Sequence, residues 1–140
     1  MKSEIDTIRK KAMESEQGDI FPLVYKSLKE IGITSYSVDL ESGKRVYTRD
    51  NEQFEDNLQN TQFTFGSFNK TKIAAIIQNK SQKSNSNFDE WLNEMNNVLT
   101  ELSKAGVHRY IVTMTNDLAI YIDKHNTQAY VEFIPSIPDR

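Results

Sequence analysis

The sequence predicts an α+β fold in which a helix-helix-strand-strand-strand unit occurs twice, with antiparallel strands and the helices on one side. The main observation is an internal similarity, because residues 28–38 (LKEIGITSYSV) reappear as residues 102–112 (LSKAGVHRYIV). The alignment continues without a gap to Tyr47 and Tyr121, and one glycine and two tyrosines coincide in the two copies. In each copy an apolar helical period changes to strand alternation directly after the glycine. We therefore predict an internal duplication with a pseudo-twofold arrangement.

Composition narrows the classes of protein to consider. The chain has 140 residues, no cysteine and a net charge of −3. We predict a single domain, 1–140, in which repeats of about residues 1–68 and 69–140 share one core, because each would be marginal alone. The mild acidic balance disfavours nucleic acid, which requires a concentrated positive surface. Since the charged N-terminal region contains no apolar run, we expect a soluble, cytoplasmic protein that does not bind membranes.

The first half of the chain is predicted to begin with two helices. A capping box at Ser3 and Asp6 and a narrow apolar stripe predict a short helix ending near Glu16. Pro22 lies in the first turn of the next helix, where its missing N–H costs least. Gly32 is predicted to end that helix, because glycine adopts a left-handed conformation without a Cβ clash.

Strands are predicted after this cap. Alternation of apolar and polar side chains marks three strands in this half, at residues 35–40, 44–49 and 62–65. Ser42 and Gly43 form a turn signal between the first two. The acidic, amide-rich segment 50–60 is predicted to be a solvated loop.

The second half repeats this plan. Asn69 is predicted to cap a helix, and the polar segment 78–87 is predicted to be a linker. The following helix has apolar residues at near-ideal helical spacing and is predicted to end at Gly106. Three strands are then predicted, at residues 107–115, 118–123 and 127–134.

The strand alternation also predicts which side chains lie on each face of the sheet. With Tyr36 and Tyr110 under the helices, the other face is predicted to carry tyrosines and an isoleucine. The predicted binding residues on this uncovered face are Tyr47, Arg109, Ile111, Tyr121 and Tyr130. Such a face is typical of an interaction surface, although cross-strand pairing of tyrosines also explains the pattern.

Two functions are consistent with this arrangement. The preferred one is a small non-enzymatic binding or interaction protein with a protein or small-molecule partner, including a second copy in a homodimer. The alternative is a small enzyme with a cleft between the repeats, lined by His108, Arg109 and Asp39. His108 and His125 are the only histidines and lack metal-site spacing, and the sequence has no Gly-rich phosphate loop and no nucleophile elbow. We therefore predict no catalytic residue, no metal and no cofactor.

Finally, several motifs of the chain are shared with known sequences. They are Phe21, Leu28, Gly32, Tyr36 and the segments 105–107, 121–124 and 131–135. Together they resemble a family of small bacterial proteins of unknown function, whose members are sometimes labelled phage envelope protein. The resemblance extends from Gly18 to Pro135 and implies no activity and no site residues. Nothing in these residues supports a virion role.

Overall fold

The computed structural model describes residues 1–14, 20–58, 62–81 and 88–134. The predicted α+β class is confirmed, with four helices and six strands in this part of the chain. The elements are α1 (Lys2–Glu14), α2 (Ile20–Glu30), β1 (Ser35–Asp39), β2 (Lys44–Arg49), β3 (Glu52–Asn57), α3 (Lys70–Ser81), α4 (Phe88–Lys104), β4 (Arg109–Thr113), β5 (Leu118–Ile122) and β6 (Ala129–Phe133). Among these helices, none is both long and apolar enough to span a lipid bilayer.

All described strands form one antiparallel sheet in the order β3-β2-β1-β4-β5-β6. Each half of the chain supplies two helices followed by three strands, and its first strand lies at the centre of the sheet. Ser37 pairs directly with Ile111, and these two residues occupy equivalent positions in the aligned segments. The order of strands is therefore symmetric about the β1–β4 contact, while a duplication of the sequence stays a prediction.

The predicted glycine caps are confirmed. Gly32 and Gly106 follow α2 and α4 with φ angles of 90° and 92°. In both, the residue after the glycine donates its N–H to the carbonyl five positions earlier, at 3.1 and 3.0 Å. This bond satisfies a carbonyl that the last helical turn leaves free, so the chain can turn directly into a strand. Asn69 also caps its helix as predicted, since its Oδ1 accepts from the Lys72 N–H at 3.0 Å.

The third strand of the first half lies elsewhere than predicted. Residues 62–65 are not a strand, and β3 lies within the segment predicted to be a loop. A tight turn with Asp50 at a positive φ of 51° brings β3 back along β2. The sequence of β3 shows no clear alternation of apolar and polar residues, because one of its helix-side residues is the charged Asp56. Hydrogen bonds from Arg45 and Arg9 stabilise this side chain on the helix side.

Residues 62–69 instead cross the C-terminal end of α4. The N–H of Gly66 donates to the Ser103 carbonyl at 3.1 Å, and the N–H of Asn69 donates to the Ala105 carbonyl at 2.9 Å. The segment therefore pairs with the end of a helix instead of a neighbouring strand.

The two faces of the sheet are assigned by the strand register. Tyr36 lies opposite Tyr47, Tyr110 lies opposite Tyr121, and Tyr121 lies opposite Tyr130. Directly opposite residues point to the same face, so all five tyrosines lie on the face that packs against the helices. The predicted position of Tyr47, Tyr121 and Tyr130 on the uncovered face is therefore wrong. The error arose because a shift of one residue in register moves every side chain to the other face.

Candidate functional site

The sheet face opposite the tyrosines is named here the open face. It carries Ser35, Ser37, Asp39, Lys44, Val46, Thr48, Gln53, Glu55, Asn57, Arg109, Ile111, Thr113, Leu118, Ile120, Ile122, Ala129, Val131 and Phe133. None of these residues is buried, whereas the tyrosine face contributes Val38, Val112 and Ala119 to the core. The described helices thus cover one face of the sheet and leave the other accessible.

The two halves of the open face differ in chemistry. The β1–β2–β3 half is almost entirely polar, with Val46 as its one aliphatic side chain. The β4–β5–β6 half carries six large apolar side chains, named here the apolar patch: Ile111, Leu118, Ile120, Ile122, Val131 and Phe133. The register joins them across strands, because Ile120 lies between Ile111 and Val131, and Leu118 lies beside Phe133. One half therefore has the polarity of a solvated sheet face, and the other does not.

The exposure of the patch is greatest on β6. Val131 is 45% exposed and Phe133 is 79% exposed, and the remaining patch residues are half-buried. Covering a phenylalanine side chain from water is worth about 2 kcal/mol. An exposed apolar cluster of this kind on a well-formed sheet is typical of an interface.

Polar groups on β4 lie within and beside the patch. Arg109 lies opposite Asp39 on β1, and its Nη2 donates to the Lys124 carbonyl at 3.3 Å. Within the described residues, the Arg109 Nε and the Thr113 Oγ1 are inaccessible and make no hydrogen bond. The Asp39 Oδ1 accepts hydrogen bonds from the N–H groups of Glu41 and Ser42, at 2.9 and 3.2 Å, and thereby stabilises the turn after β1.

Of the five predicted binding residues, Arg109 and Ile111 are therefore placed together on the open face. Five patch residues on β5 and β6 were missed: Leu118, Ile120, Ile122, Val131 and Phe133. Their signal is in the sequence, because the segments LAIYI and AYVEF both alternate two sets of side chains. With tyrosines in the buried set and aliphatic residues in the other, polarity alone did not distinguish the faces.

The remaining predicted binding residues are part of the packing between sheet and helices. Tyr47 and Tyr121 are only 5% and 4% exposed, and Tyr130 is half-buried. The Tyr121 ring lies 5.7 Å from the Tyr110 ring and 6.4 Å from the Tyr130 ring, and its hydroxyl donates to Glu132 at 2.8 Å. Burial, together with the charge of Glu132, raises the pKa of Tyr121 well above its ordinary value. These tyrosines stabilise the fold and are not presented on the open face.

The residues of the predicted catalytic cleft do not converge. Arg109 and Asp39 point to the open face, whereas the neighbouring His108 points to the helix side and is buried. The His108 ring stacks on Phe65 with centroids 4.1 Å apart, and its Nδ1 lies 2.6 Å from Glu41 Oε1. No group of three or more histidine and carboxylate side chains in the described ranges could hold a metal ion.

Charged side chains do meet on the helix side, around Asp56. Arg45 donates to both Asp56 oxygens, at 2.8 and 3.1 Å, and Arg9 of α1 donates to Asp56 and to the Tyr47 hydroxyl. Burial raises the pKa of Asp56, but the hydrogen bonds and charges of Arg45, and then of Arg9, outweigh it and hold the pKa below its ordinary value. The cluster ties α1 to β2 and β3.

Acid is expected to weaken this cluster. Because the folded-state pKa of Asp56 is depressed, its contribution is complete above the ordinary value of 3.8 and is lost as the pH falls through the lower folded-state pKa. At neutral pH, Asp56→Asn is expected to lower the free energy of unfolding by about 2 kcal/mol. Urea unfolding measured from about pH 7 to pH 3 should show this gap narrowing at the acid end. Glu55→Gln is the control, since Glu55 is exposed and, in the part of the chain that the structure describes, forms an ion pair with Lys44 at 3.2 Å. Parallel curves for wild type and Asp56→Asn would contradict the assignment.

The comparisons with known proteins identify a family without assigning an activity. A family model described as "Protein of unknown function (DUF1398)" matches residues 10–133, which extend from α1 to the end of β6. No curated protein matches the chain. The match covers the end of α1, the other three described helices, the described sheet and the apolar patch, and it confirms the resemblance to an uncharacterised family. The chain therefore belongs to the DUF1398 family of proteins of unknown function.

Proposed function

We propose that this protein is a non-enzymatic interaction module that binds an apolar surface of another polypeptide through its apolar patch. The proposal rests on one observation, the difference between the two halves of the open face. Both halves occupy equivalent positions in a symmetric sheet, yet Thr48 and Asn57 belong to one half and the equivalent Ile122 and Phe133 to the other. A sheet face that only contacts water is expected to carry polar side chains, as the polar half does. The exposed apolar side chains of the other half are therefore best explained by a binding partner.

The composition of the patch supports a protein partner. Interfaces bury a core of apolar and aromatic side chains surrounded by polar groups, and aromatic residues and arginine often contribute most to affinity. Phe133 supplies an exposed aromatic side chain, and Arg109 supplies a guanidinium beside Ile111. Small-molecule sites are concave, whereas this patch lies on a sheet face that no described element surrounds with walls. A polypeptide surface laid on the sheet therefore fits it better than a small ligand.

Position-specific crosslinking is expected to report this contact. A photoreactive amino acid at residue 122, in the patch, should form covalent adducts with a polypeptide in cells that produce the protein. The same group at residue 48, the equivalent position in the polar half, should form few or none. Gel mobility and mass spectrometry of the adducts give the measurement.

A second variant makes the comparison specific to the patch. Phe133→Asp places a charge among the apolar side chains and should suppress the adducts from residue 122. Equal adducts from both positions, or none from residue 122, would overturn the proposed function.

A further inference from the structure

We infer that this chain pairs with a second copy of itself, antiparallel along β6 with a twofold axis at Val131. This inference goes beyond the proposed function, because such pairing extends the sheet, brings the apolar patches of the two copies side by side and leaves the open face accessible. It follows from the backbone of β6, from the opposite edge of the sheet and from the order of side chains along β6.

The backbone of β6 leaves one set of groups directed away from the sheet. The Asp123 N–H donates to the Gln128 carbonyl at 3.1 Å, and the Ile134 N–H donates to the Asp117 carbonyl at 2.8 Å. In an antiparallel ladder, every second residue bonds to the neighbouring strand, so Tyr130 and Glu132 direct their backbone groups towards β5. The residues between them, which include Val131, direct their N–H and C=O groups to the outer edge of the sheet.

The outward set on β6 is Ala129, Val131 and Phe133. The same three residues place their side chains on the open face, and all three are exposed. Within the described ranges no strand pairs with this outer edge, and an edge of this kind with apolar side chains is a template for pairing with another strand.

The other edge of the sheet provides an internal comparison. The Leu58 N–H donates to the Gly43 carbonyl at 2.7 Å, so the outward set on β3 is Gln53, Glu55 and Asn57. These exposed polar and charged side chains disfavour pairing at that edge. In a symmetric sheet, one edge is therefore protected and the other is not.

The side chains of β6 are complementary to those of a second β6. With Val131 on the axis, Phe133 of one copy lies opposite Ala129 of the other, so a large side chain meets a small one. This register uses all three outward residues of each strand and forms about six backbone hydrogen bonds. It also continues the row Ile111, Ile120 and Val131 of one copy into the same row of its partner.

Symmetry and charge favour this pairing over the other contacts. Pairing β6 with the β3 edge of another copy would place Glu55 and Gln53 beside the apolar residues of β6 and would propagate without closing. Pairing β6 with β6 closes after two copies. No outward residue of β6 is charged, and Glu132 points to the helix side, so two chains with a net charge of −3 meet without a charged residue on this edge.

Sedimentation equilibrium over protein concentrations of about 1–500 μM tests the inference, because a short edge contact belongs to the weak class of interfaces. The purified wild-type chain should shift with concentration from 16.2 kDa to twice that mass. Val131→Lys places two like charges at the axis and should raise the dimer dissociation constant by about tenfold or more. Glu55→Lys at the equivalent edge position of β3 is the matched control and should leave dimerisation intact.

A second variant separates dimer loss from unfolding. Val131→Pro removes only an outward N–H, which an edge strand tolerates, so the monomer should keep its circular dichroism while losing dimerisation. A wild type that stays at 16.2 kDa throughout, or a dimer that neither Val131 variant weakens, would overturn the inference. A monomer whose residue 122 crosslinks to a different polypeptide would overturn the second copy and leave the proposed function standing. A dimer without crosslinks from residue 122 would overturn the proposed function and leave the pairing of two copies standing.

Discussion

Replacing Gly106 with alanine is expected to lower the free energy of unfolding by about 3 kcal/mol or more. Two causes act together at this position. The φ angle of 92° is strained for any residue with a Cβ, and the added Cβ would lie 2.3 Å from the Phe68 Cα and N atoms. Those are backbone atoms of the segment that crosses the end of α4, so relief requires moving a hydrogen-bonded chain. Urea denaturation followed by circular dichroism gives the free-energy difference.

Gly32→Ala is the matched control for this prediction. Gly32 has nearly the same φ angle, 90°, but the nearest atoms to a Cβ there would be the Arg49 Cδ at 3.4 Å and Cγ at 3.6 Å, which belong to a long side chain. We expect the loss at Gly32 to be about 1 kcal/mol, the cost of the backbone conformation alone. Equal losses at the two glycines would show that residues 66–68 do not press on Gly106.

The two glycines show what the sequence can and cannot predict about this fold. Both caps are local, because the helical period ends and strand alternation begins at the glycine itself, and both were predicted. The contact of Phe68 with Gly106 depends on residues that are distant in sequence, and nothing near Gly106 indicates it. Nothing local to residues 62–65 shows that they are not a strand either; the chain there leads to Gly66 and Asn69, whose N–H groups donate to carbonyls at the end of α4.

The same distinction between local features and contacts distant in sequence applies to the candidate site. Alternation within β4 correctly placed Arg109 and Ile111 on the uncovered face. Which side chains of β2, β5 and β6 lie on each face of the sheet depends on the pairing register across three hairpins. A shift of one residue in that register moves every side chain of a strand to the opposite face. Tyrosine suits both a buried layer and a wet surface, so residue type did not resolve the register at Tyr47, Tyr121 and Tyr130.

Truncating Tyr121 to alanine is expected to lower the free energy of unfolding by about 3 kcal/mol, because the residue is only 4% exposed beside Tyr110 and Tyr130 and the loss of its ring leaves a cavity. Tyr121→Phe keeps the ring and removes only the hydrogen bond to Glu132, so the expected loss is about 1 kcal/mol. Urea unfolding at low protein concentration measures both variants on the single chain.

Phe133→Ala is the control that tests the assignment of faces. Phe133 is an aromatic residue on the adjacent strand, but it lies on the open face and is 79% exposed. Its truncation removes little buried area within one chain and should change the free energy of unfolding by less than about 0.5 kcal/mol. If Phe133→Ala instead costs as much as Tyr121→Ala, the apolar patch is covered within the chain and the tyrosines are the accessible surface. The proposed interface would then be on the wrong side of the sheet, because a side chain already buried in the monomer gains nothing from a partner.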